Sequence, residues 1–206
     1  DVERSRGLGD VYKRQELQRL LVFSMLFDTG MRIGELLALD LSDINSKECY
    51  TSIITEKTKK LRLVMWSDTT HDLLLRYLGL RLSLTGGTSL FINLKGENNT
   101  RLGARTVQRW CKKMSEDLGF QGITPHSFRH SKMHHIISQG GNRHQVMTIA
   151  GHSSIESSGV YTRLNKTEMK KVMGQFLNSK TPQVQSKPWP SMNYHHGVLD
   201  YSSGMR

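Results

Sequence analysis

The chain has 206 residues, enough for one full domain and a small appendage, and its apolar content of 36% is low but clustered. Twenty-nine Lys and Arg against 18 Asp and Glu leave a net charge of +11, an excess that favours a polyanionic partner, with nucleic acid ahead of a membrane surface. The longest strongly apolar run, Leu20 to Phe27, is broken by Ser24 and is too short to span a bilayer; Cys49 and Cys111 match no metal-ligand spacing and read as buried or incidental thiols in a reducing cytoplasm.

Residues 1–15, DVERSRGLGDVYKRQ, are charged, glycine-bearing and without apolar periodicity. They resemble translated adapter sequence at the end of a metagenome-derived reading frame, so they are expected to lie outside the fold, with the native protein longer at this end. From Glu16 the pattern is helical, with Leu17, Leu20, Leu21, Met25 and Phe27 recurring at helix spacing. Asp28-Thr29-Gly30 breaks it, and a second helix follows with Ile33, Leu36, Leu37 and Leu39 apolar and Arg32 in its first turn. Between Leu41 and Ser67 the β-forming runs Tyr50–Thr55 and Leu61–Trp66 predict a small antiparallel sheet. Glu56-Lys57-Thr58-Lys59-Lys60 forms its cationic hairpin tip, a pattern that also serves as a solvated turn discouraging aggregation.

Asp68 to Leu82 reads as a helix with Leu73, Leu74, Tyr77 and Leu78 inward; Thr85 to Gly103 is loop-rich with a strand-like piece at Ser89–Ile92. Ala104 to Leu118 is a helix stopped by Gly119, and Thr124-Pro125 supplies an N-cap and a first-turn proline for the next. Gly140-Gly141 ends that helix, Asn142 caps a short one, and Ser153-x-x-Glu156 is a capping-box pattern for a helix running toward Tyr161. Lys166 to Leu177 is amphipathic, with Met169, Val172, Met173 and Phe176 on one side, and residues 179–206 are expected to be a flexible tail.

The chemistry-bearing residues concentrate around PHSFRHS, Pro125 to Ser131. Arg129 follows His126 by three positions, so both lie on one side of a helix, and Arg32 opens another helix. A guanidinium presents a planar fork of donors that matches two phosphate oxygens, and two from separate elements suit one phosphodiester and its transition state. Either arginine alone is equally a surface ion pair or a passive phosphate contact. Tyr161 lies nine residues past His152 across a Gly-His-Ser-Ser turn. A phenol with a free pKa near ~10 needs a proton acceptor and cationic surroundings to act as a nucleophile; alone, it reads as a core tyrosine. Lys57, Lys59 and Lys60 are all candidates for a general acid reaching in from the hairpin.

Five segments, Thr29–Glu35 (TGMRIGE), the Glu56-Lys57-Thr58 hairpin, Pro125–His130 (PHSFRH), Ala150–Ser154 (AGHSS) and Val160-Tyr161-Thr162, occur in the order and at the distances that resemble the catalytic domain of the tyrosine recombinases, the phage-integrase and Xer-type family. The resemblance covers about Glu16 to Leu177. It implies an α+β, mostly α-helical domain over 16–178 with a small antiparallel three-stranded sheet at one edge. It implies a site-specific DNA recombinase, an integrase of a phage or mobile element, working through a 3′-phosphotyrosyl intermediate. Arg32 and Arg129 would bind the scissile phosphate, Lys57 would be the general acid that protonates the departing 5′-oxygen, and His126 would exchange a proton with the tyrosine. His152 would hydrogen-bond a phosphate oxygen, Tyr161 would be the nucleophile, and Glu35 would orient the site. Lys59, Lys60 and Arg62 would contact DNA. No metal or nucleotide cofactor is implied. The partners would be double-stranded DNA and further copies of the chain in a tetrameric synapse, the free protein being a monomer in the cytoplasm, associated with the nucleoid.

Three other readings compete. His126, His130 and His134 lie four apart on one helix, which is metal-ligand spacing, though without a nearby carboxylate. A DNA-binding module without catalysis needs the charge but not Tyr161, and a type IB topoisomerase shares the chemistry. Family members usually carry a separate helical domain that closes round the DNA from the far side, and this chain shows no counterpart. DNA binding by the chain is therefore expected to be weak and to fall steeply with added salt, because phosphate contacts dominate. A salt titration followed by fluorescence anisotropy checks this, and a sub-micromolar affinity indifferent to salt would contradict it.

Overall fold

The computed structural model describes the backbone of residues 2–54, 61–84, 87–94, 100–120 and 122–150, together with Gly174. Its elements are α1 (Val2–Thr29), α2 (Ile33–Leu37), β1 (Tyr50–Ile54), β2 (Leu61–Met65), α3 (Asp68–Arg81), α4 (Ala104–Leu118), α5 (Pro125–Ser138) and α6 (Arg143–Ala150). The hairpin tip at 55–60, Gly151-His152, the helix toward Tyr161, the 166–177 helix except Gly174, which is helical, and the tail lie outside the described residues.

Helix α1 is the spine. It starts at Val2, well before Glu16, so the opening segment is continuous with it. Leu21, Val22, Met25 and Leu26 are fully buried, whereas Leu20 is 53% exposed. The buried stripe thus follows 21, 22, 25 and 26, a single helical face, and Leu20 falls on the other side of it. α3 and α5 pack against this spine. On α3, Leu74 and Tyr77 point inward, with Leu73 and Leu78 half-buried against the same core. Phe23 of α1 stacks on Phe128 of α5 at 5.1 Å between ring centres and meets Trp110 of α4 edge-on at 6.4 Å.

The helix boundaries follow their local chemistry. Ser67 caps α3, its hydroxyl accepting from the Thr70 N–H at 3.3 Å. Thr124 caps α5, accepting from the Ser127 N–H at 3.2 Å, with Pro125 at the first helical position. Asn142 and Gln145 exchange reciprocal bonds of 2.8 and 2.9 Å at the start of α6. Gly119 ends α4 with a left-handed φ of 67°.

Among the described residues the sheet has two strands, not three. β1 and β2 pair antiparallel, from Tyr50 opposite Met65 to Ile54 opposite Leu61. The strand-like piece Ser89–Ile92 forms isolated bridges to Asp40 and Arg101 instead. Its backbone bonds are taken by other loop segments: the Leu90 N–H donates to the Leu39 carbonyl and the Leu102 N–H to that of Phe91, both at 2.9 Å. Leu90, Phe91 and Ile92 are fully buried, so this stretch is a plug in the core rather than a sheet edge. Leu41–Asp43 is a 3₁₀ turn leading into the hairpin.

Buried polar groups tie the irregular segment down. Gln18 of α1 donates to the Ile92 carbonyl at 3.0 Å, and the Tyr77 hydroxyl donates to Gln18 Oε1 at 2.7 Å while also lying 3.0 Å from the Leu90 carbonyl. Arg81, 2% exposed, donates to the carbonyls of Leu84, Gly87 and Ser89. Cys111 is buried, which pushes its thiol up to about 11, and Cys49 is half-buried; neither forms a disulfide. No helix among the described residues is long and apolar enough to cross a membrane.

Because Tyr77 is fixed by its hydroxyl inside a packed core, Tyr77→Phe removes that tie without changing shape. Its loss is expected to lower unfolding stability by about 0.5–1.5 kcal/mol, since Gln18 Oε1 keeps only the longer 3.4 Å bond from the Ile92 N–H and the Leu90 carbonyl loses a donor; chemical denaturation of the two proteins measures it.

Candidate active site

The site begins at a turn. Thr29 Oγ1 accepts from the Met31 N–H at 3.2 Å, and Gly30 adopts a φ of 60°, closed to most side-chain-bearing residues. A Cβ at Gly30 would also lie 2.8 Å from Met133 Cε of α5. The turn thus brings α1 against α5 and directs Arg32 to the start of α2. Arg129, 4% exposed, donates to the Gly30 carbonyl, so the two arginines of the sequence motifs are joined through this turn.

Glu35 sits at the centre. Its side chain is 2% exposed and accepts from the Arg32 backbone N–H at 2.9 Å, from Arg32 Nη1 at 3.1 Å and from Arg62 Nη2 at 2.9 Å. The bond to the Arg32 N–H is a capping interaction, a carboxylate satisfying an otherwise open donor at the start of α2. Arg62 also donates through Nη1 to the carbonyl of Ile149 in the last turn of α6. Its Nε is the one buried side-chain N or O atom among the described residues without a hydrogen-bond partner.

Three guanidiniums from α2, β2 and α5 therefore share the field of one carboxylate. Burial brings Arg62 down to about 10; Glu35 opposes this, while Arg129 and Arg32 add to it. Arg129 is also lowered, by burial first and by Arg32 second, with Glu35 opposing. A cationic cluster of this kind is stabilised by an added anion. His126 lies on the same side of α5 as Arg129 but is exposed where Arg129 is buried, and its ring meets His130 edge-on at 4.6 Å. Partial desolvation, then His130, Arg129 and Arg32, hold His126 below its usual 6.5, which favours a neutral imidazole able to accept a proton.

The structure thus brings together Arg32, Glu35, His126 and Arg129. Lys57, Lys59, Lys60, His152 and Tyr161 lie outside the described residues. Arg62 departs from its expected place on the DNA-facing surface: it is 7% exposed, and its guanidinium is engaged inside the protein. The reason is strand alternation. Arg62 and Val64 face inward with Thr51 and Ile53, while Leu61, 72% exposed, faces out. Lys132 was also not singled out by the sequence. It is 1% exposed, one turn beyond Arg129, with its ammonium 5.7 Å from the centre of the Phe27 ring. The signal for Arg62 was Glu35 itself, an acid on the apolar face of a short helix that demands a buried cation. Among the described residues no group of three or more His, Cys, Asp or Glu side chains could hold a metal ion, His126, His130 and His134 included.

Fold and cluster together define a mostly helical domain with a cationic, anion-accepting centre. The phage integrase family model matches residues 6–168, and this chain belongs to that family. Tyrosine recombinase XerC of Corynebacterium glutamicum is 30% identical over 149 residues, covering 72% of this chain and 47% of the relative. Tyrosine recombinase XerD of Staphylococcus epidermidis is 27% identical over 172 residues, covering 81% and 57%. The crystal structure of XerA recombinase superposes with a TM-score of 0.62 at 28% identity, covering 81% of this chain and 62% of that one. The post-cleavage complex of XerH with a palindromic difH substrate shares the fold, with a TM-score of 0.60 at 22% identity over 77% of this chain and 45% of that one. The chain spans about half the length of the curated relatives it matches.

His126 should titrate below 6.5, and His130→Gln, which removes one neighbouring charge, should move it upward. As pH falls through 6.5 the unfolded chain takes up this proton before the folded one, so the folded state loses stability until His126 itself protonates. Imidazole NMR titration beside thermal unfolding between neutral and mildly acidic pH reads both effects.

Proposed function

We propose that this chain is the catalytic domain of a site-specific DNA recombinase that cuts and rejoins DNA strands through a 3′-phosphotyrosyl intermediate. The observation that carries this reading is that Arg32 and Arg62 pair with Glu35 while Arg129, held to the turn just before Arg32, and His126 lie in the same electrostatic field. The family membership supports it, as do neighbours of this fold solved with DNA, among them XerH on its difH substrate and the Tn1549 integrase on a circular intermediate.

In this mechanism Arg32 and Arg129 neutralise the non-bridging oxygens of the scissile phosphate as negative charge builds in the pentacovalent transition state. His126, held neutral, takes the phenolic proton as Tyr161 attacks phosphorus. His152 donates to a phosphate oxygen. Lys57 gives its proton to the departing 5′-oxygen, and Lys59 and Lys60 hold the DNA backbone beside it. The phosphotyrosyl bond keeps the energy of the phosphodiester. A 5′-hydroxyl from a second strand then attacks, the phenolate leaves, and the protons return by the same groups. Strand exchange of this kind needs several copies of the chain assembled on DNA as a tetrameric synapse from free monomers.

Nicked duplexes of randomised sequence, which trap the covalent intermediate because the cut fragment diffuses away, test the reading. A protein–DNA adduct that Tyr161→Phe abolishes is the expected result. Arg129→Lys, which keeps the charge but not the planar fork, should slow adduct formation by about 10²–10³-fold. DNA binding with no adduct would mark a non-catalytic module. Adduct formation with supercoil relaxation but no strand exchange would mark a topoisomerase.

A further inference from the structure

Among the described residues, Arg62 links Glu35 to α6. Through Nη2 it pairs with Glu35, which in turn holds both the backbone and the guanidinium of Arg32. Through Nη1 it reaches the Ile149 carbonyl, one of the last four carbonyls of α6, which have no partner within the helix. A cation there also complements the negative end of the helix. Two residues after Ile149 the chain enters Gly151-His152, and two residues before Arg62 stands Lys60.

We infer that Arg62 is a positioning residue of the reaction centre, a buried brace that sets Arg32 by way of Glu35 and sets the exit of α6, where His152 follows. The inference rests on the proposed recombinase reading for its effect on catalysis, but the brace itself is a property of the fold. A lysine at this position keeps the charge and reaches one partner at a time, so Arg62→Lys separates fork geometry from charge. A displacement of about an ångström at a reacting group lowers a rate by on the order of 10²-fold.

The test uses the full chain and two variants, Arg62→Lys and Glu35→Gln, with three readouts. In Arg62→Lys, amide hydrogen exchange is expected to quicken in peptides covering 30–37 and 147–152. Adduct formation on nicked duplexes should slow by about 10²-fold, while affinity for a duplex and its salt slope stay unchanged. In Glu35→Gln, exchange should quicken at 147–152 as well, because among the described residues Glu35 is tied to α6 through Arg62. Unchanged exchange at 147–152 in Glu35→Gln overturns the inference, and this arm decides the matter even where Arg62→Lys does not fold. A salt slope lower by about one in Arg62→Lys, with exchange unaltered, overturns it in favour of a direct phosphate contact. If the wild-type chain forms no adduct, the recombinase reading fails, while the exchange measurements still accept or reject the brace.

Discussion

A carboxylate that is almost completely shut away from water cannot stand alone. Glu35 must be paired and hydrogen-bonded or else give up its charge. Here it receives three donors, from the Arg32 backbone, the Arg32 side chain and Arg62. Placing the acid therefore places the bases, and one buried ion fixes the mutual positions of α2 and β2. Arg129, held separately to Gly30, leaves the cluster with more positive than negative charge. That surplus is unfavourable in the empty protein, and burial already works against the charge of Arg62 and Arg129. A phosphate bound there, as proposed, would relieve the repulsion, so part of its affinity would be stored in the folding of the domain.

The rest of the fold makes this arrangement rigid. α1 carries the core on one face and ends in the turn that delivers Arg32 and receives Arg129. Asp28, just before that turn, accepts from the Ser67 N–H, the Ser67 hydroxyl and the Thr70 hydroxyl at 2.6–2.9 Å, tying the end of α1 to the start of α3. A second, smaller apolar cluster of Met65, Ile136 and Ile149 seats α5 and α6 on the end of β2. Arg62 lies on the same strand as Met65, so the apolar seat and the polar brace act on α6 from one element. Sites that must hold donors to within a fraction of an ångström depend on such support from behind.

Much of this was legible in the sequence where local chemistry decides. Thr124-Pro125, Gly119 and Asn142 set helix ends through bonds within a few residues, and each stands where the pattern put it. His126 and Arg129 are legible as a pair from their three-residue spacing, whereas Arg32, far from Arg129 along the chain, joins them only through the family resemblance. The five apolar positions of early α1 fit more than one helical phase, and packing against α3 and α5 selects the one that leaves Leu20 exposed. Ser89–Ile92 is strand-like in composition, but its partners are distant loops, which composition does not specify. Arg62 was taken for a surface cation because charge outweighs alternation in a first reading. The structure shows alternation prevailing, since a buried acid on α2 pairs with it.

The Gly30 turn has an evolutionary consequence. Its positive φ strains any residue with a side chain, and Met133 Cε would have to move aside for one, yet the residue itself performs no chemistry. A single nucleotide change there would disarm the domain by spoiling the seat of Arg129 while every reactive group stayed in place. Inactivated copies of such a gene would then retain all the hallmarks of a working one, and an inventory of reactive residues alone would count them as alive.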